Sequence, residues 1–155
     1  MTNATVQPRM AMTVDRLRWG RIVIAAVLLE AALIAAAVPL LSLVDNPFVA
    51  GAAGAPGDFT SFFVLVTVAC FGFGALFGWW MARPLPSRFV LHGALTGAAA
   101  TAIYLAICSI PPNTVAAVLA AYGPFWFLLA NGARIGGAVL GAAYRGRTAE
   151  RVSRS

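Results

Sequence analysis

The chain contains no lysine, one histidine and two cysteines, and only 10% of its 155 residues are charged. Soluble domains carry near 25% charged residues, so this scarcity, with 61% hydrophobic residues and a mean hydropathy of +0.84, excludes a water-solvated domain. Spanning segments and short loops use up nearly the whole length and leave no room for a separate soluble domain. Motifs of chemistry are missing too. Neither a nucleophile beside a base nor a paired-carboxylate arrangement is visible, so no enzyme activity and no cofactor are expected. His92 stands alone where a metal site gathers three or four donors, so no metal is expected. Cys70 lies mid-span and Cys108 near the far end of the next span, a depth difference of roughly 13 Å by helical rise. A disulfide needs Cα atoms within about 7 Å, which excludes the pair and weighs against a thiol oxidoreductase.

What the chain has is apolar length. Runs at 22–44, 59–81, 89–110 and 115–143 each reach the roughly 20 residues that a hydrocarbon core of about 30 Å requires. The last would make a helix of about 43 Å, longer than the bilayer unless strongly tilted. Gly123 and Pro124 offer the break, since proline is accepted in a first helical turn and glycine just past a helix end. The expectation is a short interfacial helix over 115–122 and a fourth span over 124–143. A cleaved signal peptide is the rival reading of the first span, suggested by its basic flank and by Ala35, Ala36 and Ala37. Its apolar part is too long, and it contains Glu30.

All eleven basic residues are arginine, which with the Ala and Gly load suggests a high-GC bacterial genome. The net charge of +6 and pI near 10.7 could mean nucleic-acid binding, but ten of the eleven flank the spans, where lipid headgroups account for them. No nucleic-acid partner is expected. Four arginines precede the first span, Arg83 and Arg88 lie between the second and third, and Arg145, Arg147, Arg151 and Arg154 follow the fourth. The 45–58 connection holds only Asp45 and Asp58, and 111–114 has no charge. The positive-inside rule then places both termini in the cytoplasm. Trp19, Trp79 and Trp80 at the inner boundary and Phe125, Trp126 and Phe127 at the outer one agree.

The sequence therefore predicts an all-α integral membrane protein of a bacterial inner (plasma) membrane. Its fold is an antiparallel four-helix transmembrane bundle, N-in/C-in. A basic, disordered cytoplasmic arm covers 1–21, the membrane domain 22–143 and a basic cytoplasmic tail 144–155. The Gly, Ala and Pro content of the 45–58 loop predicts mobility.

Two charges fall inside the spans, where an unpaired charge costs about 2.5–3.5 kcal/mol. Glu30 lies about 13 Å, and Arg134 about 16 Å, above the inner boundary. Opposite charges at one depth neutralise each other; without a partner, the acid could take up a proton and the guanidinium could not. At 100° per residue Arg134 shares a stripe with Ala130, Asn131, Gly137, Ala138 and Gly141, while Leu128, Ile135, Val139 and Leu140 lie broadly opposite, toward lipid. The expectation is a polar layer of Glu30, Thr96 and Arg134 at the level of Gly74, with His92 below and Asn131 above. It is read either as a clamp that fixes helix register or as a substrate, lipid or proton site.

Small residues recur at GxxxG spacing in Gly74 with Gly78, Gly93 with Gly97, Gly132 with Gly136, and Gly137 with Gly141. Such pairs let helix backbones approach closely. Gly132 and Gly136 point away from the Arg134 stripe, free for another helix or a second copy of the chain.

Four helices with a lone Glu in the first, set in the segment 25–32 (AAVLLEAA), resemble the small multidrug resistance transporters. That resemblance implies proton exchange for cationic drugs at Glu30. It covers one helix, and the chain departs from the pattern in length, in its one-sided arginines and in Arg134. Two functions are expected in order: a non-enzymatic structural or accessory subunit held by the Glu30–Arg134 pair, or a small transporter or lipid-handling protein using the polar layer. The partners are the lipid bilayer and another membrane protein or itself.

Overall fold

Long runs of Ala, Leu, Val and Phe favour the helix, in which every backbone hydrogen bond closes within its own segment. The computed structural model describes residues 17–41, 60–85, 87–110 and 115–152, and these form four helices and no strand. They are α1 (Trp19–Leu41), α2 (Thr60–Ala82), α3 (Phe89–Cys108) and α4 (Val115–Val152). Each is long and apolar enough to cross a membrane. Most of the expected arm at 1–21 and the 45–58 loop lie outside the described residues.

The helix of α4 is interrupted where Gly-Pro was expected to interrupt it. Gly123 takes φ 70° and ψ 152°, a conformation open to glycine and closed to residues with a Cβ. Pro124 then starts the second piece, which continues past Ala143 to Val152, so the first part of the segment read as a tail is helix.

Consecutive helices alternate in direction, but the bundle is not a simple up-and-down ring. Helices α2 and α4 make its most extensive contact. Their contacts advance together, Gly74 against Arg134, Gly78 against Ala138 and Gly141 against Ala75, so these two run parallel. On the other side α1 packs on α3, also in parallel: Ala26, Leu29 and Ala100 share one buried cluster. Going round the bundle the order is α1, α2, α4, α3. Helices α1 and α4 therefore face each other across its diagonal, with hardly any backbone contact.

Glycine makes the parallel seam. A Cβ at Gly74 would stand 2.6 Å from the Arg134 carbonyl oxygen, and a Cβ at Gly78, Gly137 or Gly141 would collide with backbone of Ala138, Phe71 or Ala75. Gly93 and Gly97 do the same for α3, against Ala138 and Ile135 of α4. Those two glycines overturn part of the helical-wheel expectation. Ile135 and Val139, placed toward lipid, are partly buried against α3, because its bare backbone comes close enough to cover the flank of α4. Leu128 and Leu140 do face outward, 68% and 57% exposed. Gly132 and Gly136 meet nothing within 4 Å.

The two ends differ in chemistry. At one, Phe63 stacks on Trp126 at 5.5 Å and Tyr104 lies near Phe127. At the other, Arg21 donates from Nε and an Nη to the carbonyls of Met81 and Trp80 in the last turn of α2. Its guanidinium lies over the Trp80 ring, and that of Arg83 over Trp79.

Candidate functional site

Apolar helices leave few side chains able to do chemistry, and the structure buries most of them. Glu30, His92, Thr96, Asn131 and Arg134 are all buried. Arg134 Nε stands 3.0 Å from Glu30 Oε1, with each side chain 5% exposed. The contact joins the diagonal helices α1 and α4, so the pair passes through the middle of the bundle where backbones do not meet. It is an ion pair by distance, without hydrogen-bond alignment between Nε–H and Oε1.

The guanidinium has three further neighbours. One Nη donates to Asn131 Oδ1 at 2.7 Å, three residues back on the same helix. The other Nη lies 3.7 Å from Cys70 Sγ on α2, and Cζ sits 4.7 Å over the Tyr104 ring of α3. Arg134 thus touches every other helix of the bundle. Asn131 is itself held, its amide donating to the Phe127 carbonyl at 2.8 Å. A cavity of about 30 Å³ lies beside this group, lined by Val66, Cys70, Tyr104, Phe127, Ala130, Asn131 and Arg134. That volume admits a water molecule or two.

Thr96 and His92 bond elsewhere than to this group and lie below it, one and two turns nearer the start of α3 than Ala100, which packs with Leu29. The Thr96 hydroxyl donates to the His92 carbonyl one turn back, at 2.9 Å. His92 Nδ1 pairs with the Arg88 carbonyl at 2.9 Å, and Nε2 accepts from the Arg18 backbone N–H at 3.4 Å. Its imidazole ties the start of α1 to the start of α3, just after Arg88 in a left-handed conformation. Gly74 lies at the Arg134 level, as expected.

Cys70 and Tyr104 are the members that sequence reasoning missed. A signal existed for both: Tyr104 continues the buried stripe of Thr96 and Ala100 at four-residue steps, and Cys70 precedes Gly74 by four. Both cysteines are free thiols. Among the described residues no three His, Cys, Asp or Glu side chains come together.

Comparisons with protein-family models, with curated proteins and with solved structures found no match for this chain.

Proposed function

We propose that the chain is a multi-pass protein of a bacterial inner membrane with both termini in the cytoplasm, acting without catalysis as a structural or accessory subunit. In this reading the Glu30–Arg134 pair is its clamp. The observation that carries it is the diagonal contact: a carboxylate on α1 holds a guanidinium on α4 that also engages α2 and α3. One cation then sets the register of four helices whose apolar faces would otherwise slide, a recognised use of buried polar groups. The size of the cavity beside Arg134 also favours a clamp, since a site for an organic substrate would need several hundred Å³.

The orientation rests on the one-sided arginines. Reporter fusions at both ends are expected to respond as cytoplasmic, and opposite responses would refute it. For the clamp, Glu30→Gln is expected to lower the folded yield because Arg134 loses its counter-charge. Normal yield with lost, pH-dependent transport would instead establish the alternative, a transporter or lipid-handling protein working through the same layer.

A further inference from the structure

Away from the polar layer, the seam between α2 and α4 opens outward as an apolar groove of about 380 Å³. Phe71, Leu76 and Trp79 form one wall, Leu140 and Tyr144 the other, and the touching backbones at Ala75 and Gly141 make its floor. Each wall leads to an arginine. Arg83 stands just past the end of α2, four residues after Trp79, and Leu140 precedes Arg147 by seven residues, two helical turns that return to nearly the same direction about 10 Å further on. Both arginines are exposed.

Arg83 is already in place. Its guanidinium lies 4.0 Å over the ring of Trp79, at the end of the groove, and it has no ion-pair partner among the described residues. The surroundings are strongly cationic, for the sequence assigns ten arginines and only Asp15 and Glu150 to this end of the bundle. A groove that is apolar along its length and cationic at one end matches a molecule with an acyl chain and an anionic head.

We propose that this groove binds an anionic phospholipid, with an acyl chain along Phe71, Leu76 and Leu140 and the phosphate on Arg83 and Arg147. The proposal rests on the reading that the helices span a bilayer with the arginine end at one surface. A guanidinium fork matches phosphate oxygens in pairs, and stacking on Trp79 limits the ordering cost on binding. Trp79 and Tyr144 at the groove mouth are the side chains that settle at headgroup level.

The test uses the full chain purified in mild detergent, with phosphatidylglycerol or phosphatidylcholine added, read by native mass spectrometry and by melting temperature. Phosphatidylglycerol should be retained and should raise the melting temperature; phosphatidylcholine should do neither. The double variant Arg83→Gln, Arg147→Gln should weaken phosphatidylglycerol binding about thirtyfold, from about 1 kcal/mol per cation near a charged surface. Leu140→Trp, which fills the groove from an exposed position, should weaken it with both arginines in place. Equal retention of the two lipids, or binding unchanged in both variants, overturns the proposal. Binding equally inhibited by free glycerol phosphate overturns the acyl-chain part. Release of the chain from membranes by alkaline carbonate without detergent would instead refute the spanning reading.

Discussion

Replacing Glu30 by Gln keeps the side-chain volume and removes one charge, leaving the Arg134 guanidinium buried at the centre of the bundle. Removing one partner of a buried pair costs about 3–5 kcal/mol, and insertion scales put an unpaired Arg at a bilayer centre at about 2.5–3.5 kcal/mol. Part of that loss is offset here. The 2.7 Å bond to Asn131 and the contact with the Tyr104 ring remain. A net destabilisation of about 2–3 kcal/mol follows, or a melting temperature lower by about 5–10 °C for a chain of this size. Tryptophan fluorescence or size-exclusion melting in detergent measures it. Arg134→Gln should cost less, because a lone carboxyl can be carried as the neutral acid whereas guanidinium stays charged. The double neutral variant should lie closer to wild type than the sum of the singles, with a coupling of about 1–3 kcal/mol. Glu30→Gln melting within 1–2 °C of wild type, together with additive singles, would refute the clamp.

The charge swap Glu30→Arg with Arg134→Glu should recover only part of the yield lost in Glu30→Arg alone, since a carboxylate at 134 would face the electron-rich Tyr104 ring; no recovery would count against direct contact. Gly78→Ala should lower stability by about 1–3 kcal/mol, because the added methyl meets the Ala138 backbone, whereas Gly132→Ala, with nothing within 4 Å, should be neutral or gain up to about 1 kcal/mol in the same melting assay. Gly123→Ala should cost about 1–3 kcal/mol through its positive φ, and an unchanged melting temperature would show that the break in α4 does not need glycine. Arg21→Gln should loosen the end of α2 by about 1 kcal/mol, visible as faster amide exchange near Met81.

Composition and run length alone determined four helices, since so few charges leave apolar runs that must satisfy their backbones internally, and Gly123 with Pro124 named the break in α4. The shared depth of Glu30 and Arg134 was legible because helical rise converts residue spacing directly into height. Direction around the bundle was not legible, because lipid-facing and partner-facing apolar residues look alike in a chain this rich in Ala, Val and Leu. Only the tertiary structure decided that α2 and α4 lie parallel on their glycines, that Ile135 and Val139 turn against α3, and that Cys70 and Tyr104 complete the surroundings of Arg134. Sequence spacing measures distance along one helix; which helices become neighbours depends on how closely bare backbones can approach one another, and that is settled only when all four pack at once.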